Sequence, residues 1–178
     1  YQPTGIWDSL AITKERDFTY PQSKGADLYR RSIYTFWRRT VAPGNMFDTS
    51  VRNNCKVRLT VTSSPLHALT VLNDVTWIEA ARNLAERVIK EKPSDPDTRI
   101  AEAFRRVCTR KPRPDETVVL KRTLNRALKY YEANTAAAEA YLKAGDSQRD
   151  SSIPASEHAA YAAVCLAIYN LDEALTRE

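Results

Sequence analysis

Ala159-Ala160-Tyr161-Ala162-Ala163-Val164-Cys165-Leu166-Ala167-Ile168-Tyr169 is a run of eleven residues with no charged side chain. Its alanine and leucine content favours helix. A helix that is apolar on every side is buried on every side. The run is also shorter than the roughly 20 residues that a bilayer span requires. It therefore reads either as the central helix of a bundle or as a helix packed against a part of the protein absent from this chain. Both readings require other helices around it.

Working outward, the chain supplies them. Ahead of the apolar run, Gly145 to Ser152 is a polar loop. Before that loop, Leu120, Leu124, Ala127, Leu128 and Tyr131 mark one face of a helix that an alanine-rich stretch carries to Leu142. Pro112-Arg113-Pro114 separates it from a helix marked by Ile100, Ala103, Phe104 and Val107. Lys92-Pro93-Ser94-Asp95-Pro96 separates that one from a helix whose face is Ile78, Ala81, Ala85 and Val88. Asn73-Asp74 breaks the chain once more and can cap that helix. A short helix starts at Pro65, with Ser63 or Ser64 as its cap.

Before residue 65 the character changes. Residues 31 to 39 alternate with both faces apolar or semi-polar, as a short covered strand would. Val57 to Thr62 alternates cleanly and can pair with it, with Pro43-Gly44-Asn45 as the turn signal. The expected fold is mainly α: a helical bundle of about five helices with a short β-hairpin or irregular N-terminal segment. Residues 1–64 form the basic, aromatic segment and 65–178 the bundle, one domain overall.

Composition narrows the function. The chain has 178 residues, 43% of them hydrophobic and 28% charged, which is a globular balance. No apolar run is long enough to span a membrane, and no signal peptide is visible. The net charge of +5 lies entirely in residues 1 to 60, whereas the remainder sums to zero. Nine of the sixteen aromatic residues share that first third. An anionic partner is expected there. Nucleic acid is disfavoured, because nonspecific binders spread positive charge along a whole face.

Catalytic signatures are absent or incomplete. Cys55, Cys108 and Cys165 form no CxxC or CxxCH, so metal and covalent haem motifs fail. They read as small buried hydrophobes, or as one disulfide and a free thiol. His67 and His158 have no second histidine at i+4, so helical zinc spacing is missing. A Cys55–His67 or Cys165–His158 dyad would need a lowered thiol pKa and an orienting third group. Asp115-Glu116 and Asp172-Glu173 are adjacent pairs that point about 100° apart on a helix. The four isolated glycines cannot build a phosphate-cradling loop. No residue is assigned to catalysis or to a metal.

The richest chemistry is Tyr29-Arg30-Arg31-Ser32-Ile33-Tyr34-Thr35-Phe36-Trp37-Arg38-Arg39-Thr40. Arginine binds sulfate, carboxylate and phosphate bidentately, and aromatic faces stack on rings. Alternation along a strand divides these arginines between two faces. Arg30, Trp37 and Arg38 are the candidate ligand-binding residues. Arg31, Arg39, Arg52 and Arg58 are expected to pair with Asp27 and Asp48 in a structural network.

The same residues, with Phe47-Asp48, Arg52, Cys55, Arg58, Pro65-Leu66, Ala68-Leu69 and Leu72-Asn73-Asp74, resemble a planctomycete-type domain of unknown function (number 1553). The opening Tyr1 to Trp7 and the closing Asn170 to Glu178 are similar to it too, so the resemblance takes in essentially the whole chain. It implies the C-terminal portion of a larger protein that is exported, periplasmic or beyond. Upstream domains of the same polypeptide, among them a cytochrome c-like one, would be its partners. Haem is implied only there, and no cofactor is expected in this chain. The family offers no catalytic residue to carry over. Members often have proline at Ser50, arginine at Val61, asparagine at Ser63 and glutamine at His67, which argues against a shared chemistry resting on His67. The expected function is a non-catalytic binding or scaffold module that meets an anionic polysaccharide or a partner domain. The alternative is part of a polysaccharide hydrolase whose site the upstream domains complete.

Overall fold

A computed structural model of the chain describes residues 23–31, 34, 64–92 and 95–175. The chain divides into two compact units, Tyr1–Thr62 and Ser63–Glu178. In the first unit, Gly25–Tyr29 is a turn of 3-10 helix that Gly25 enters at φ +56°. The Tyr34 N–H donates to the Arg31 carbonyl at 2.9 Å, which is a turn rather than an extended pairing. The rest of the expected hairpin, through residue 39 and over 57 to 62, lies outside the described residues.

The second unit is helical, and its boundaries follow local chemistry. Helix α1 (Pro65–Asn73) starts with proline at its first position, and its cap Ser64 accepts from the His67 N–H. Asp74 ends α1 and caps α2 (Val75–Glu91) by accepting from the Thr76 N–H at 2.8 Å. Asp95 caps α3 (Pro96–Cys108) through both carboxylate oxygens, to the N–H groups of Asp97 and Thr98. Thr109 closes α3 in the left-handed region, at φ 61°. Helix α4 (Pro114–Ala133) opens on another proline, and Glu116 accepts from the Arg113 N–H at 2.7 Å.

The expected helix running from Pro114 to Leu142 is broken. Asn134, at φ −131° and ψ 65°, separates α4 from α5 (Thr135–Leu142). Its side-chain amide donates to the Tyr130 carbonyl at 2.9 Å, in the place of its own backbone N–H. Asparagine competes with the helix ladder in this way. The break turns α5 so that Ala138 and Leu142 are buried with Ala159 of the next helix, flanked by Tyr131 and Tyr141.

That next helix, α6 (Ala155–Tyr169), is the central one. It buries Ala159, Ala160, Tyr161, Ala162, Val164, Cys165, Leu166 and Ile168. Helices α2 and α4 flank it most extensively, and α5, α3 and α1 cover it further. The short α7 (Asp172–Leu175), which the sequence did not signal, packs on it as well. No missing partner is needed to explain its composition, because this chain itself supplies the cover. The alanines keep α6 narrow, while each fully buried Val, Leu or Ile contributes roughly 1.5–3 kcal/mol relative to exposure. Seven α-helices are thus present among the described residues, two more than expected: one from the break at Asn134 and one from α7. No helix of these residues is long and apolar enough to cross a membrane.

Candidate functional site

Of the candidate ligand-binding and network residues, Asp27, Arg30 and Arg31 fall among the described ones. Arg30 Nη2 meets Asp27 Oδ1 at 2.9 Å, and both side chains are 61% exposed. Arg31 is exposed. Exposed pairs of this kind contribute little to stability. Trp37, Arg38, Arg39, Asp48, Arg52, Arg58 and Cys55 lie outside the described residues.

The helical unit carries an open cleft of about 760 Å³ that sequence reading did not find. Trp77 and Arg87 of α2, Arg106 of α3 and Tyr169 of α6 supply its chemistry. Trp77 and Tyr169 meet edge to face, with ring centroids 5.6 Å apart. The Trp77 indole N–H is buried and has no hydrogen-bond partner. Burial pushes the Tyr169 phenol up to about 12, against the pull of the nearby Arg87 guanidinium. Arg87 is exposed. Arg106 is held by Glu102 of its own helix and by Glu91 of α2. Aromatic rings beside guanidinium groups suit a ring-bearing or anionic ligand.

On another face, the loop between α5 and α6 is stapled to α2. Glu79 and Arg82 are each 3% exposed. Glu79 Oε1 lies 3.7 Å from Arg82 Nη2 and accepts from the Ser147 N–H at 2.6 Å. Arg82 donates to the carbonyls of Leu142, at 3.1 Å, and Ser147, at 2.6 Å, and to Ser147 Oγ. Asn83 donates to the same Oγ at 2.9 Å. Gly145 sits at φ +89°, and a Cβ there would come within 2.7 Å of Glu79 Cγ, so the close approach needs glycine. Further along α2, Lys90 bridges Glu86, at 2.8 Å, and Asp150, at 2.7 Å.

None of these ionisable groups is arranged as an acid–base catalyst. Among the described residues, carboxylates gather around cations: Glu86 with Asp150 around Lys90, Glu91 with Glu102 around Arg106, and Glu116 with Glu173 around Arg110. The hydrogen bond to Lys90 leads in holding Asp150 well below the ordinary carboxylate range. Arg110 draws Glu116 down to about 2. A general acid needs the opposite shift. Burial pushes the Cys165 thiol up to about 12, and the Cys108 thiol likewise, with Glu173 beside it. Reactive thiols need a lowered pKa. The Cys165–His158 dyad therefore fails. Its histidine is fully buried and turns Nε2 to the Arg82 carbonyl at 3.0 Å. Cys108 and Cys165 are free thiols. Among the described residues no group of His, Cys, Asp and Glu could hold a metal ion.

Burial holds His158 below its ordinary 6.5, so the fold keeps it neutral. The unfolded chain takes up that proton first, and stability falls as pH drops below 6.5. Glu102, held near 2 by Arg105 and then Arg106, and Glu116 add a second loss as pH falls from 4.5 toward about 2. Urea midpoints between about pH 7 and about pH 5 should decline for the parent chain. They should stay nearly flat for His158→Gln, which keeps a donor for the Arg82 carbonyl but does not titrate.

The buried charges were partly signalled. Glu79, Arg82, Asn83, Glu86 and Lys90 recur at i, i+3, i+4, i+7 and i+11 along one stripe of α2, beside its apolar face. A polar stripe ordinarily reads as solvated surface. Only the loop of residues 143–154 folding back over it makes Glu79 and Arg82 interior.

Comparison with protein-family models finds a match over residues 2–124 to the family described as "PSD1: Protein of unknown function (DUF1553)". Residues 125–178, which hold the end of α4, all of α5, α6 and α7 and the closing segment, lie beyond the matched range. No curated protein and no solved structure matches the chain.

Proposed function

This chain belongs to the PSD1 family of proteins of unknown function (DUF1553), and we propose a binding role for it. It serves as a non-catalytic binding or scaffold module of an exported, haem-associated, planctomycete-type protein, and its ligand is an anionic polysaccharide or an acidic segment of a partner domain. The supporting observation is the cleft of Trp77, Arg87, Arg106 and Tyr169: open to solvent, edged by aromatic rings, and carrying an exposed guanidinium at Arg87. Sugar rings stack on aromatic faces, and arginine forks onto sulfate or carboxylate groups. The basic, aromatic residues of the first third add a second region of the same chemistry.

The test is titration with a sulfated polysaccharide and with its desulfated form. Binding should require the sulfates and weaken as salt rises. Arg87→Glu, at an exposed position, should weaken it on the order of tenfold with no change in the unfolding midpoint. Salt-insensitive binding, or equal affinity for the desulfated polymer, would sink the polysaccharide version.

A further inference from the structure

Most arginines of the helical unit meet a carboxylate, as Arg99 meets Glu157 and Arg110 meets Glu116 and Glu173. The outer face of α4 breaks that pattern. Among the described residues, the ion pairs of α4 are confined to its first half, at Asp115, Glu116 and Lys121. Beyond them, Arg122, Arg126 and Lys129 are exposed. No described carboxylate comes within ion-pair distance of these three, and that includes the exposed Glu132 one turn past Lys129. Like charges one turn apart destabilise a helix. The same face also shows water its large apolar groups: Val118 and Val119 are each 56% exposed, and Tyr130 is 54% exposed.

Val118, Arg122, Arg126 and Tyr130 recur every four residues, so they form one ridge about 18 Å long on α4. Read along the helix, the ridge is apolar, cationic, cationic, aromatic. Its last member is held in place: Tyr130 meets Tyr131 edge to face at 5.2 Å, and Tyr131 stacks on Tyr141 of α5 at 6.0 Å. We propose that this ridge docks an acidic amphipathic helix of a partner protein, one that carries two carboxylates a turn apart between two apolar side chains. Arg122 and Arg126 fork onto the carboxylates, Lys129 adds charge beside them, and Val118 and Tyr130 take the apolar ends. Charge complementarity excludes a second copy of this chain, because a two-fold pairing of the ridge would set arginine against arginine. A protein partner is favoured over a sugar polymer, which has no use for the exposed valines. Arginine and tyrosine are also the side chains that anchor protein interfaces. The surface is independent of the polysaccharide reading, since it shares no residue with the larger cleft.

The experiment titrates the whole chain into a fluorescent helical peptide of about 18 residues, long enough to hold a helix in water. The peptide carries leucine, glutamate, glutamate and leucine at four-residue intervals on an alanine and glutamine background. Anisotropy should saturate, and affinity should fall as salt rises. Replacing both glutamates of the peptide by glutamine should weaken binding on the order of tenfold. The double variant Arg122→Glu with Arg126→Glu, at exposed positions, should do the same without moving the unfolding midpoint. It should also gain affinity for a peptide with lysine in place of both glutamates. Val118→Ser with Tyr130→Ser should weaken the glutamate peptide several-fold, and that loss should persist at high salt. No saturable binding, or no gain in the charge-swapped pair, would overturn the proposal. Dextran sulfate or phosphatidylserine vesicles binding more tightly than the peptide, with no effect of the Val118 and Tyr130 changes, would overturn it in favour of a polysaccharide or a lipid surface.

Discussion

Arg82→Leu is expected to destabilise the helical unit by about 3–5 kcal/mol, the cost of breaking a buried ion pair by removing one partner. Arg82 is 3% exposed, and its guanidinium reaches Glu79, the Leu142 carbonyl and both oxygens of Ser147. Removing it strands the Glu79 carboxylate in the interior and leaves the end of α5 without a donor. The loop it secures should loosen as well, so amide exchange of Ser147 and Asp150 should rise ahead of global unfolding. The double variant Glu79→Leu with Arg82→Leu should cost less than the sum of the two single changes, because no charge is then left uncompensated. Urea unfolding of the four species closes the cycle. Additive losses would mean that the two side chains act separately and that the pair is not a unit.

Phe104→Ala is expected to cost a further class of energy, about 3–5 kcal/mol, for burial lost and cavity left. Phe104 is fully buried on α3, within a core that includes Ile100 and Ala103 of the same helix. Its ring also carries the Arg110 guanidinium at 4.8 Å from the centroid. Arg110 in turn joins Glu116 of α4 to Glu173 of α7. The substitution should therefore lower the unfolding midpoint and loosen α7 together. Phe104→Leu keeps most of the volume and should lose clearly less. A small loss for the alanine variant would mean that the core collapses around the gap.

How much of this was legible varies with the kind of signal. Caps, prolines and apolar periodicity are local, so the starts of α1, α2, α3 and α4 could be read from Ser64, Asp74, Asp95 and Pro114. The break at Asn134 was harder to read, because the asparagine sits among alanines that are good helix formers, and the burial of Ala138 and Leu142 with Ala159 reinforces the turn its side chain makes. The candidate cleft was invisible for a related reason. Trp77, Arg87, Arg106 and Tyr169 are spread over three helices, and no spacing rule links them. Resemblance reached the family and no further, since the family itself carries no assigned chemistry.

The sequence by itself determined that residues 159 to 169 form a helix that must be enclosed, and the tertiary structure decided that the chain's own helices enclose it. An uncharged helix must be enclosed, and the apolar faces of the other helices can do nothing else with their own surfaces. Tertiary structure alone decided which charges are interior. Glu79 and Arg82 occupy a stripe that reads as surface, and they become buried only because Gly145 lets the loop of residues 143–154 close over them. Burial is a property of what lies opposite a side chain, and what lies opposite Arg82 is sixty and more residues away along the chain.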